Sequence, residues 1–122
     1  MAKDKGKKQK QETLNEASEI YAKDIHWPFE VKDKIVVIGG HDSWAKVIKP
    51  MFKGKIRFVD RNSTPDIQQL RNASAVWIQT NAMSHRAYYK TSNITKKEQI
   101  PLYYFTSASA EKCAMQIVKS VS

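Results

Sequence analysis

The stretch Lys34-Ile35-Val36-Val37-Ile38-Gly39-Gly40-His41 decides the fold. Its four consecutive apolar residues make a strand, and the glycine pair ends it. Just beyond, Trp44, Val47, Ile48 and Met51 stand at i, i+3, i+4 and i+7, the spacing of one helix face. A buried strand followed at once by a helix is the opening of a crossover between parallel strands.

The same alternation continues to the end of the chain. A second strand is expected over residues 55–60, carrying Ile56, Phe58 and Val59. Pro65 suits the first turn of a helix running to about Asn72, with Ile67 and Leu70 inward. A third strand falls at 75–80 with Val76, Trp77 and Ile78. Ser84 can then cap a longer helix that includes Ala87, Tyr88 and Ile94. Pro101 opens a fourth strand, Leu102-Tyr103-Tyr104-Phe105, where its missing donor does least harm. The final helix follows Ser107 or Ser109 and places Ala110, Cys113, Ala114, Ile117, Val118 and Val121 on one stripe. The expected fold is α/β: a small four-stranded parallel sheet in the order 2-1-3-4 with helices on both faces, Rossmann-like or flavodoxin-like.

Two segments precede this domain, which is assigned to residues 34–122. Residues 13–33 read as an amphipathic helix and an aromatic linker. Thr13 and Glu16 have the form of a capping box, Leu14, Ala17, Tyr21 and Ile25 follow at helical spacing, and His26-Trp27-Pro28-Phe29 is extended. Trp27 and Phe29 would pin the segment to the domain, or the helix and its aromatics would cover a second subunit and make a homodimer. Residues 1–12 are too polar to offset their ordering entropy and read as a disordered arm. Lys3, Lys5, Lys7, Lys8 and Lys10 stand there against one acid, Asp4.

Composition narrows the function. The 122 residues suffice for one domain, 41% of them are hydrophobic, and the formal net charge is +9. That charge favours acidic partners, nucleic acid foremost. No apolar run approaches membrane-spanning length, and no apolar stretch follows the first lysines as in a secretory signal, so a cytoplasmic protein without a membrane partner is expected. A single cysteine, Cys113, leaves no internal disulfide and no multi-cysteine zinc site. It lies on the apolar stripe of the last helix and reads as inert core.

In open parallel sheets ligands gather beyond the carboxyl ends of the strands. Those ends collect Gly39, Gly40, His41, Asp42 and Ser43 after the first strand, and Asp60, Arg61 and Asn62 after the second. Gln79, Thr80, Asn81, Ser84 and His85 follow the third, and Thr106 and Ser107 the fourth. Free N–H groups at the helix starts suit an anion, and Gly39-Gly40 would let one approach the backbone. The same glycines equally suit a tight strand-to-helix turn, with the hydroxyls as helix caps. Neither a phosphate-binding loop nor a full dinucleotide fingerprint is present. His41 and His85 could shuttle a proton or hydrogen-bond a base or phosphate. With Asp60 they outline a metal site only thinly, and no metal, cofactor or catalytic residue is assigned. Gly39, Gly40, His41, Asp42, Ser43, Asn81, Ser84, His85, Thr106 and Ser107 are the candidate contacts for a ligand or partner.

The cations are patterned as well. Lys46, Lys49 and Lys53 would line the polar side of the helix after the first strand, and Arg86, Lys90 and Lys97 that of the helix after the third. Such stripes are ordinary solvated faces when taken singly. Together with the arm they could follow a phosphate backbone, with Tyr89 or Trp44 for added contacts.

The strand ending Ile38-Gly39-Gly40-His41 and the later Asn81-Ala82-Met83-Ser84-His85 resemble the bacterial family called domain of unknown function 2325, over about residues 34–120. The resemblance implies the fold and no common activity. It also suggests a setting, since small versions similar to this one turn up in phage and other mobile-element modules. The expected function is a non-enzymatic accessory protein of that kind, acting at nucleic acid or at a nucleic-acid-bound protein in replication, transcription or recombination control. Two alternatives stand beside it: a nucleotide or phosphorylated-metabolite sensor or enzyme using the polar edge, and a pure protein-interaction module.

Overall fold

A computed structural model describes residues 24–121. The four strands are β1 (Phe29–Gly39), β2 (Phe52–Val59), β3 (Ala75–Gln79) and β4 (Leu102–Tyr104). The helices between and after them are α1 (Asp42–Ile48), α2 (Ile67–Leu70), α3 (His85–Glu98) and α4 (Ala110–Val121). All strand pairs are parallel and their order is β2-β1-β3-β4, the order expected from the alternating pattern.

Strand periodicity divides the core in two. Ile35 and Val37 of β1 turn to one face, where Trp77, Phe105 and the apolar stripe of α4 cover them together with Trp44 and Ile48 of α1. Val36 and Ile38 turn to the other face, against Val59, Leu70, Val76 and Ile100, with Met83 and Ile94 packed alongside. Because both faces of β1 and β3 are covered, their sequences are continuous apolar runs without alternation.

Four features differ from the sequence reading, besides β2 starting at Phe52 and β4 ending at Tyr104. First, β1 begins at Phe29, and Phe29–Val31 pairs with Phe52–Gly54 ahead of an irregularity between Val31 and Ile35. The stretch read as linker thus enters the sheet. The Trp27 and Phe29 rings both meet Phe52 edge-on, at 6.0 and 6.3 Å, while the exposed Lys32 and Asp33 disguise the continuity. Apart from residues 24 and 25, the expected N-terminal helix and the lysine arm lie outside the described residues.

Second, α1 stops at Ile48 because Pro50 has no N–H with which to continue it, and a 3-10 turn spans Lys49–Met51. Lys53 therefore belongs to β2, and the expected three-lysine helical stripe does not form. Third, α2 is a single turn. Pro65 lies ahead of it, and Asp66 caps it: Asp66 Oδ1 accepts from Gln69 N, and Gln69 Oε1 from Asp66 N, each at 2.9 Å. Fourth, Val47 and Val121, both read as inward, are exposed at the ends of short helices.

Candidate functional site

The Gly39-Gly40 turn lies where β1 and β3 part company, with φ of 91° and 94° that only glycine adopts easily. Its surroundings are its own chain. Gly40 N donates to Ala82 O at 2.9 Å. A side chain on Gly40 would overlap the Trp44 ring, and a Cβ on Gly39 would lie 2.6 Å from the Gln79 carbonyl oxygen. The crevice at the strand-order reversal is thus narrowed by the Trp44 indole against Gly40 and by the 3-10 turn Thr80–Ala82 beside Gly39.

The candidate residues fall into three places. Over β1 and β2, Gly39, Gly40, Asp42, Lys46, Lys49, Asp60 and Arg61 border a cleft of about 210 Å³. Asp42 meets Arg61 Nε at 3.5 Å on an exposed surface, and Asp60 turns inward on its own loop to accept from Asn62 N at 2.7 Å. His41 occupies the N-cap position of α1 with an exposed ring that makes no cap bond, and Ser43 is exposed beside it. Among the described residues no three of His, Cys, Asp and Glu gather as a metal site.

Over β3 and β4 lies a second cleft, of about 350 Å³, bordered by Thr80, Met83, Ser84, His85, Tyr88, Tyr89 and Tyr104. Ser84 caps α3 by accepting from Ala87 N at 3.0 Å, the role its position suggested. The His85 ring lies nearly parallel to Tyr89 at 6.3 Å between centroids. Tyr88 and Tyr104 share a hydroxyl contact of 3.4 Å, and this bond, more than the accompanying burial, raises the Tyr104 phenol above its ordinary pKa. His41 lines neither cleft, so the two histidines do not share a site. Asn81 is exposed on the 3-10 turn between the clefts and borders neither.

Thr106 and Ser107 form the third place, and they tie α4 to the sheet. Thr106 N donates to Gln116 Oε1 at 3.1 Å, and Ser107 Oγ accepts from Ser109 N at 3.0 Å. The Ser107 carbonyl accepts from Gln79 Nε2 at 2.9 Å and from the Cys113 thiol at 3.1 Å. Cys113 is fully buried, as its place on the stripe implied. Burial pushes its thiol pKa up, opposed in smaller part by the neighbouring Trp44 and Gln79 side chains and the Ser107 backbone. The nearby Trp44 Nε1 nonetheless reaches no partner at hydrogen-bond geometry.

The cations are sorted by the same structure. Lys46 and Lys49 are exposed on the border of the first cleft, while Arg86 and Lys90 are exposed on α3, next in sequence to His85 and Tyr89 of the second. Arg86, Lys90 and Lys97 fall along one side of α3, whose only acid, Glu98, faces Arg71 at 3.9 Å. Lys3, Lys5, Lys7, Lys8 and Lys10 lie outside the described residues. Trp44 is 7% exposed, as its place on the apolar face of α1 implied, and packs into the space Gly40 leaves, so it is not available as the surface contact also considered for it. Tyr89 is 60% exposed, joined by Tyr103 and Tyr104 at 43% and 44%. Sequence reasoning missed Tyr88 and Tyr104 as site residues. The signal was the pairing Tyr88-Tyr89 on a helix start with Tyr103-Tyr104 on a strand that the expected order places at the sheet edge.

No helix among the described residues is long and apolar enough to cross a membrane. No curated protein and no solved structure matches the chain. One family model does, described as an uncharacterized protein conserved in bacteria, and it covers the core of the sheet and all four helices nearly to the last turn. By that match over residues 34–119, the chain belongs to the DUF2325 family.

Proposed function

We propose that this protein is a non-enzymatic accessory protein that binds nucleic acid, or a protein already on it, in the bacterial cytoplasm. In this reading it serves a phage or other mobile element in controlling replication, transcription or recombination. The observation that carries the proposal is the cationic side of α3: Arg86, Lys90 and Lys97 project from a fourteen-residue helix whose single acid is engaged by Arg71. Unpaired cations along one line suit phosphates spaced along a strand. The lysines of residues 1–12 would add affinity without adding specificity, and residues 13–25 remain the proposed route to a homodimer.

The competing reading, a sensor of a phosphorylated metabolite at the glycine turn, needs a free anion cradle there. The Gly40 N–H is already donated to Ala82, and Arg61 in the adjoining cleft already faces Asp42. That favours an extended polyanion over a small one.

Titrating the protein with labelled DNA and RNA at several salt concentrations tests the proposal. Affinity should fall steeply with salt, and Arg86→Ala with Lys90→Ala should flatten the log–log slope by about two phosphate contacts. Affinity indifferent to both salt and these substitutions would overturn it.

A further inference from the structure

We infer that the cleft between α3 and β4 is a stacking site for unpaired nucleobases, so that the protein prefers single-stranded to duplex nucleic acid. This rests on the nucleic-acid reading above and names the part of the ligand that the cleft takes. Tyr89 and Tyr104 present exposed ring surface at its mouth, and His85 lies nearly parallel to Tyr89 at 25°. Tyr88 stands at 70° to Tyr89, with centroids 5.5 Å apart, and forms the wall between Tyr89 and Tyr104.

Three features suit a base better than an apolar peptide side chain. The lining supplies flat aromatic faces together with the hydroxyls of Thr80, Ser84 and the tyrosines. Every base has a face to stack and an edge to hydrogen-bond, so this mixture fits it. Among the described residues no acid lines the cleft, while Arg86 and Lys90 stand on the same helix for the phosphates on either side. The volume of about 350 Å³ also falls within the range of small-ligand pockets, ~300–1,000 Å³.

The arrangement is pre-organised. The Ser84 cap fixes the start of α3, buried Ala87 seats the same turn on the domain, and the Tyr88–Tyr104 hydroxyl contact joins helix to strand. Tyrosine adds little entropy cost on binding, having only two side-chain torsions to fix. Duplex DNA keeps its bases stacked inside and offers this cleft nothing but its backbone.

The test compares a fluorescein-labelled oligothymidylate, an abasic strand of equal length and a duplex, by fluorescence anisotropy on the full chain. The oligothymidylate should bind about tenfold tighter than the abasic strand. Tyr89→Ala should remove most of that preference, Tyr89→Phe should keep it, and neither should move the melting temperature, since Tyr89 is largely in solvent. Equal, salt-sensitive binding of all three ligands would overturn the stacking site and leave the electrostatic reading standing. Absence of binding to any of them would overturn both.

Discussion

The two clefts at the carboxyl end of the sheet are built from the same kind of parts and end in opposite states. On the β1–β2 side an aromatic residue, Trp44, folds inward against Gly40, and an exposed cation faces a carboxylate. On the β3–β4 side the aromatics face outward, and the cations beside them have no acid on the cleft wall. Strand order does not explain the contrast, because each cleft joins one central strand to one edge strand. The side chains do: with no side chain on Gly40, the Trp44 indole packs against the turn. β4 is an edge strand of three residues, and Tyr103 and Tyr104 stay 43% and 44% exposed on it. A glycine-rich turn at a switch point is therefore no sign of a ligand until its room is found empty.

The largest expected effect tests the closed side. Gly40→Ala must place a Cβ against the Trp44 ring and hold a residue at φ near 94°. Backbone strain and overpacking together should cost about 2–5 kcal/mol. For a domain of this size the melting temperature should drop by more than about 10 °C in a thermal scan. A variant that melts like the parent would show that Trp44 swings away readily and that the crevice can open to a ligand.

A smaller effect is expected on the open side. Ser84→Ala removes the acceptor for Ala87 N at the start of α3 and should cost about 1 kcal/mol. Strand binding should weaken along with it, since His85, Tyr88 and Tyr89 all ride on the first turns of that helix. Loss of stability with unchanged binding would separate the cap from the cleft.

The sheet was legible because buried strands and stripe-bearing helices leave period signals, and order 2-1-3-4 is the one expected when such units form a flavodoxin-like sheet. Ser84 as a cap and Cys113 as core were legible for the same local reasons. The cleft was not, because an aromatic at helical spacing looks alike whether the next layer covers it or ends beside it. Trp44 fitted both the apolar face of its helix and a surface contact, and it is core, while Tyr88, grouped with Ala87 and Ile94 in the helix pattern, is only half-buried. Phe29–Val31 escaped as a strand because its partner Phe52–Gly54 lies beyond an intervening helix, and pairing of that range leaves no local mark.

The smallest expected change in stability carries the sharpest distinction between the two sides. His41 and His85 are both exposed, and His41 makes no cap bond to α1. Replacing either by alanine should leave the melting temperature close to the parent, within about 0.5 kcal/mol of stability. Their effects on binding should part. His85 backs Tyr89 with a near-parallel ring, and losing such an aromatic neighbour should weaken single-strand binding about threefold. His41 stands by the closed turn, borders neither cleft, and its replacement should leave that affinity unchanged. Anisotropy titrations of the two variants at one salt concentration decide the matter. Equal losses from both would mean that the bound strand crosses the whole edge and that the two clefts act as one surface. A loss from His41→Ala alone would move the contact to the glycine turn and end the case for the tyrosines.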